Sequence, residues 1–360
     1  HVPRHVQGSP YLYQVVSATT NTLGTYASGP GLLGTTAGVP TTFDIHPRDE
    51  YKNERLALAA NDVFTVHMKL QDIDEDTERP ISDGFGSEFF EGKVVWNPDT
   101  YLFNVEYQPE LSGTYQLEVR LRTGVATFRD IVGSPFRVEI APNKLSGITS
   151  DIWGQGVISG TAGETFEFNI RGRDLHYNLR MIGGEPDPIR VQALQMTWQH
   201  RDIFHTASMQ GSPGTALWVS DGDYIARWWP THAGTHQLSV TIGGNHIDES
   251  PYTVQVDIAE PYGGTSVADG PGLHDSISNE LVSFTVYIRD PYGNPRETAG
   301  GAVTAVLSGP AGVTGFAAHN GDGTVLVSYT PTKSGVYDLD VAVDGGPIIG
   351  SPLPPPCGPG

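Results

Sequence analysis

Cysteine is almost missing from this sequence: Cys357 is the single one in 360 residues, so an internal disulfide framework is excluded. Basic residues are also few. The 21 Lys and Arg stand against 41 Asp and Glu, a net charge of −20, which argues against a broad nucleic-acid surface because phosphate binding depends on Lys and Arg. No run of about 20 apolar residues occurs, so no insertion of this segment into a membrane is expected, and the opening HVPRHVQGSPYLYQVV does not read as a signal peptide. There is no GxxxxGK[ST] loop, no GxSxG elbow, and no GxGxxG placed as a strand-to-helix phosphate turn. Cys357 lies in PPPCGPG, which reads as a joint and not as the site of a nucleophile. No enzyme is expected, and neither a catalytic residue, a cofactor nor a bound metal is assigned.

What the chain has in quantity is glycine and proline, 44 and 27, a composition suited to many short strands joined by tight turns. It also repeats itself. YQPELSGTYQLEV from Tyr107, WPTHAGTHQLSV from Trp229 and YTPTKSGVYDLDV from Tyr329 each combine a proline turn, a glycine and an alternating strand. Ser-Pro pairs follow at Ser134, Ser250 and Ser351, with another at Ser9, separated by 125, 116 and 101 residues. That period of roughly one hundred residues is a domain repeat, too long for a helical solenoid. Each unit opens on a glycine-rich phrase at Gly29, Gly154 or Gly270 and continues to a turn, DEYKN, DLHYN or DPYGN, in which Asp and Asn can satisfy local backbone groups.

In this order the phrases resemble filamin-type immunoglobulin-like repeats, most closely in the third unit with DPYGN, NGDGTVLVSYTPTKSGVYDLDV and GSP. The resemblance implies an all-β fold of tandem antiparallel sandwiches. The expected division is 1–20, a terminal strand fragment of a preceding repeat; 24–142, a repeat with an acidic insertion; 143–261, a divergent repeat; 262–353, a third repeat; and 354–360, a junction to a next one. In the third, the inward row is expected to include Phe284, Val286, Ile288, Val303, Val306, Val325, Val327, Tyr329, Tyr337, Leu339 and Val341.

Tyr107, Trp229 and Tyr329 are expected to share one place before the proline turn as core aromatics. Trp228, on the other strand face, is then a candidate interface residue or is packed locally. The resemblance further implies capture of an extended partner at a sheet edge, best matched here by Val313, Thr314, Gly315, Phe316 and Ala317, though an exposed edge is also ordinary sheet anatomy. The acidic run at 72–78 reads as a solvated insertion, with a cation loop as the alternative, although Thr77 stands where an EF-hand needs glycine. His200, His205, His232 and His236 read as surface or loop histidines before they read as a metal cluster.

The implied function is a structural scaffold and protein-binding module, with neighbouring repeats or an extended peptide strand as partners. Direct actin binding belongs to a different domain in the resembling family and is not expected of this segment. Scarce cysteine and the lack of an Asn-x-Ser/Thr sequon favour the cytoplasm, cytoskeleton or a cilium. The alternative is a cell-surface adhesion or gamete-recognition ectodomain.

Overall fold

Period-two alternation organises nearly every strand, so one side of each sheet is apolar and must be covered by a second sheet. The computed structural model describes residues 7–71, 89–180, 189–195, 212–220, 222–274 and 276–353. These form three successive pairs of facing sheets.

In the first pair, one sheet runs Tyr26–Ser28, Thr41–His46, Leu102–Tyr107, Lys93–Asn97. The facing sheet runs Gly34–Thr36, Phe136–Ala141, Gly113–Arg122, Phe64–Leu70, Phe89–Glu91, with Phe128–Asp130 beside Gly113–Arg122. The second pair repeats this order, with Asp151–Trp153, Phe166–Arg171, Asp223–Trp228 and Thr215–Ser220 facing a sheet built on Tyr252–Asp257, Gly234–Ile242 and Ile189–Gln195. In the third, Val267–Asp269, Val282–Tyr287, Thr324–Tyr329 and Phe316–His319 face Val313–Thr314, Val303–Ser308, Asp338–Val343 and Gly346–Pro347. Neighbouring strands are antiparallel except where Gly34–Thr36 and Ser159–Thr161 lie parallel to the last strand of their sandwich. This is the all-β sandwich architecture expected from the repeats.

The cores follow strand parity, with one correction. Val303, Ala305 and Leu307 point inward in the third sandwich, so Val306 takes the outer face and is 41% exposed. Val303 and Val306 have opposite parity and could not both face the core. The other expected core positions lie buried or, for Tyr337, packed against the buried cluster.

Two of the recurring phrases have local physical causes. Gly29, Gly154 and Gly270 hold φ of 136°, 134° and 137°, and a Cβ there would meet the Cα of Phe43, Phe168 or Phe284 at 2.8–2.9 Å. Only glycine tolerates both the dihedral and the approach. In the Ser-Pro phrases the serine hydroxyl accepts a backbone N–H of the adjoining long strand: Val119 to Ser134 at 3.0 Å, Val240 to Ser250 at 2.9 Å and Val341 to Ser351 at 2.9 Å. The hydroxyl thereby satisfies a donor that the ladder does not pair.

By its internal contacts the chain gathers into two compact units, 1–145 with 173–181, and 146–172 with 182–360.

Candidate protein-binding edge and repeat junctions

The edge singled out in the sequence is the point where the chain leaves one sheet of the third sandwich for the other. Val313 and Thr314 pair with Leu307 and Val306, after which Phe316–His319 pairs with Thr324–Tyr329 in the opposite sheet. Gly315 makes the crossing. Its N–H donates to Ala305 O at 2.8 Å, and a Cβ would come within 3.0 Å of Val327 and 3.2 Å of Ala305. The five candidate residues therefore divide by environment: Val313 and Ala317 pack against the buried cluster, Thr314 is exposed, and Phe316 is 71% exposed. Gly92 hooks onto Val66 O at 2.9 Å in the first sandwich by the same device.

Trp228 does not line an exposed face. It is fully buried, its Nε1 donates to Gly156 O at 3.0 Å, and its ring lies 4.8 Å from Phe166 and 5.7 Å from His236. Tyr107 and Tyr329 make the corresponding bonds to Gly31 O and Gly272 O. Burial pushes the phenols of Tyr107 and Tyr329 upward, so both remain donors. The shared corner position is thus two residues before the proline, at Tyr107, Trp228 and Tyr329, and the expectation for Trp229 is corrected. Trp229 is 44% exposed and donates to Thr165 Oγ1 at 2.9 Å.

Of the histidines, His200 and His205 lie outside the described residues, as does the acidic run at 72–78. His232 sits beside Thr231, whereas His236 is buried against Trp228 with Nδ1 3.1 Å from Gly234 O. Burial lowers the His236 pKa below the ordinary 6.5, assisted by His232 and opposed by the bond to Gly234. The native state therefore disfavours the imidazolium, and the stability that follows is present above about pH 6.5 and lost as pH falls through the lowered native value. Urea unfolding of the second sandwich at pH 5 and pH 7.5 is expected to show a larger acid loss in wild type than in His236→Gln. Equal losses would rule His236 out as its source.

The Asp and Asn turns do more than close on themselves. In all three, an aspartate takes two turn N–H groups on Oδ1 and, on Oδ2, the asparagine side chain and one N–H of the segment 31 residues earlier: Ala18 to Asp49 at 2.9 Å, Asn143 to Asp174 at 2.7 Å, Ala259 to Asp290 at 3.2 Å. An arginine six residues after the aspartate donates to the carbonyl of that same earlier residue: Arg55 to Ala18 O at 2.7 Å, Arg180 to Asn143 O at 3.4 Å and Arg296 to Ala259 O at 3.1 Å. Desolvation raises the Asp49 pKa, but the Asn53 side chain and the N–H groups of Ala18, Asn53 and Tyr51 outweigh it and hold the carboxyl below its usual range.

Two of the asparagines also grip a proline-turn loop. Within the first unit, Asn178 Nδ2 donates to Glu110 O at 2.8 Å and its Oδ1 accepts Ser112 N–H at 2.8 Å. Within the second, Asn294 Nδ2 donates to Thr231 O at 2.8 Å and its Oδ1 accepts Ala233 N–H at 3.0 Å. The carboxamide suits this because it carries donor and acceptor side by side. Sequence reasoning found these turns but not their grip, although the recurring D-x-x-x-N-x-R spacing was a legible signal.

The Filamin/ABP280 repeat family pattern matches residues 20–137, 148–253 and 263–354. Filamin-C of Rattus norvegicus is 35% identical over 133 residues, 37% of this chain and 4% of its own length. Filamin-A of Drosophila melanogaster is 24% identical over 361 residues, 97% of this chain and 13% of its own length, so the chain spans a small part of either relative. Among solved structures, the Lin-41 filamin domain is 28% identical with a TM-score of 0.24, over 27% of this chain and 92% of that one. The Escherichia coli adhesin FdeC is 15% identical with a TM-score of 0.45, over 93% and 98%. Since the repeat pattern runs through most of the sequence in three successive blocks, the chain belongs to the Filamin/ABP280 repeat family, whose repeats are structural and protein-binding modules.

Proposed function

We propose that this chain is a scaffold segment of a cytoskeletal or ciliary assembly, in which clasped repeats position an edge that captures an extended partner strand. The clasps carry the scaffold reading. A buried carboxylate taking four hydrogen bonds, with an asparagine gripping a loop more than 60 residues away, is an arrangement for joining successive repeats, not for chemistry on a substrate. Scarce cysteine and the lack of an Asn-x-Ser/Thr sequon favour the cytoskeletal or ciliary setting over a cell-surface one.

The capture edge is the outer side of Val303–Ser308 together with Phe316. The chain's own short strand pairs only Val306 and Leu307, and Gly315 takes Ala305 O, so among the described residues Val303 and Thr304 carry no ladder partner on that side. An incoming strand would continue the ladder there and lay a side chain against exposed Phe316, with backbone bonds giving affinity and side-chain pockets selectivity.

Proximity labelling of the native full-length protein tests both parts. Cytoskeletal or ciliary neighbours are expected, and Phe316→Asp is expected to reduce capture of direct partners about tenfold while leaving the melting temperature unchanged, since a single interface aromatic carries on the order of 1–2 kcal/mol. Val313→Asp is unsuited to this purpose because Val313 packs against the core. A cell-surface set of neighbours would reject the scaffold setting, and unchanged capture by Phe316→Asp would reject the edge.

A further inference from the structure

The hairpin that joins Phe316–His319 to Thr324–Tyr329 turns on Asn320, Gly321, Asp322 and Gly323. No other asparagine in the sequence precedes a glycine. The pair matters chemically because a backbone nitrogen can attack the carboxamide carbon of the asparagine before it, and glycine puts no side chain in the way. Asn320 and Gly321 are both exposed. Gly321 holds φ at 88°, and a Cβ there would meet nothing within 4 Å, so its peptide has room to rotate towards the side chain. The carboxamide itself is held across the turn by Nδ2, which donates to Thr324 Oγ1 at 2.9 Å.

Two similar pairs in the chain are closed to this chemistry. Asp322–Gly323 lies in the same turn, but Gly323 is buried and a Cβ there would run into Arg296 O. Asp322 Oδ1 is also engaged, accepting the Thr324 N–H at 3.1 Å and the Thr324 hydroxyl at 2.6 Å. The other is Asn97–Pro98 in the first sandwich. Asn97 pairs with Leu102, five residues before the corner ring of Tyr107, just as the Asn320 N–H bonds Thr324 O, five residues before the corner ring of Tyr329. The nitrogen of Pro98 carries no hydrogen to give up. The Asn97 side chain is fully committed besides, with Oδ1 accepting the N–H groups of Asp99 at 3.0 Å and Thr100 at 3.4 Å and Nδ2 donating to Asn104 at 3.1 Å. The same hairpin position thus holds a blocked asparagine in the first sandwich and an open one in the third.

We propose that Asn320–Gly321 is a self-modifying site, at which the hairpin converts slowly to a mixture of aspartyl and isoaspartyl forms and loosens. The Gly321 nitrogen forms a bond to Asn320 Cγ, the Cγ–Nδ2 bond breaks, and Nδ2 leaves as ammonia with the proton that Gly321 gives up through water. The product is a cyclic imide. Water then opens it at one of its two carbonyls. Opening at Cγ leaves an aspartyl residue, whereas opening at the backbone carbonyl routes the chain through Cγ and adds one atom to the backbone. Both products set a carboxylate two residues from Asp322 and remove the donor to Thr324 Oγ1. The added atom of the isoaspartyl form falls beside the pair His319–Val325, at the end of the ladder that holds Phe316.

Peptide mapping of the folded chain, incubated at neutral and at mildly alkaline pH, tests this. The tryptic peptide 297–333 contains Asn320 and no other asparagine or glutamine, so exchange of an amide for an acid in that peptide reports this residue alone. Its mass is expected to rise with time and faster at the alkaline pH, with fragmentation placing isoaspartate at position 320, while Asn97 stays intact. Asn320→Gln is expected to abolish the gain, because the longer side chain needs a larger ring. Asn320→Asp installs the simpler product directly, and is expected to speed hydrogen exchange at the Thr324 amide about fivefold, the effect of one lost hydrogen bond of about 1 kcal/mol. A peptide of unchanged mass, isoaspartate arising first at Asp322, or equal conversion at Asn97 would each overturn the site. A Thr324 amide indifferent to Asn320→Asp would overturn its coupling to the hairpin.

Discussion

Trp228→Ala is expected to cost the second sandwich about 3–5 kcal/mol, whereas Trp229→Ala next to it is expected to cost less than about 1 kcal/mol. The asymmetry comes from placement. Trp228 is fully buried between Phe166 and His236, and alanine would leave a large void together with Gly156 O stripped of its donor. Trp229 gives up a half-exposed ring and one bond to Thr165 that water can replace. Trp228→Tyr is expected to recover most of the loss, because tyrosine fills the matching corner at Tyr107 and Tyr329 and bonds the matching glycine carbonyls. Urea unfolding followed by hydrogen exchange at Val240, in the core of the same sandwich, measures these differences locally. Equal costs for the two tryptophans would contradict the corner assignment.

The same pair shows what the sequence made legible and where it stopped. Recurring proline turns, Ser-Pro pairs and period-two strands were enough to identify three sandwiches, because each arises from constraints a few residues long. Alignment of the aromatics slipped by one because Trp228 and Trp229 are adjacent and both apolar. Only the distance to the following proline, two residues in Tyr107, Trp228 and Tyr329, tells the core ring from the outer one. A one-residue slip in a strand exchanges faces completely, which is why the reading inverted. Val306 was misplaced by the same parity arithmetic.

The candidate edge was visible as a segment, but not its division into core and exposed positions. That division depends on Gly315 crossing between sheets, where Ala305 and Val327 leave no space for a side chain. The clasps were half visible. Bonds from Asp290 to the amides of Tyr292 and Asn294 are local and follow from turn chemistry. Those from Asn294 to Thr231 and Ala233 span more than 60 residues, and the D-x-x-x-N-x-R spacing marks the turn without naming the loop it grips.

Those long-range bonds carry the sharpest expectation for the scaffold. Asp290→Ala removes the acceptor of the amides of Ala259, Tyr292 and Asn294 and of the Asn294 side chain at a fully buried site, and is expected to destabilise the third sandwich by about 3 kcal/mol or more. Asn294→Ala leaves the carboxylate its three backbone donors and frees only the loop, so a cost of about 1–2 kcal/mol is expected, with faster hydrogen exchange at the Ala233 amide. Asn294→Asp separates the electrostatic part from the steric one. It keeps the shape but sets a second carboxylate beside Asp290 and puts an acceptor where Thr231 O needs a donor. At pH 7 it is expected to be worse than alanine, because two buried like charges repel and one must take a proton at a raised pKa. Acidification then supplies that proton, which can bridge the pair, so this variant is expected to regain stability relative to Asn294→Ala as pH falls from 7 to 5. A gap between the two variants that stays constant across this range would show that charge at the clasp does not govern the junction.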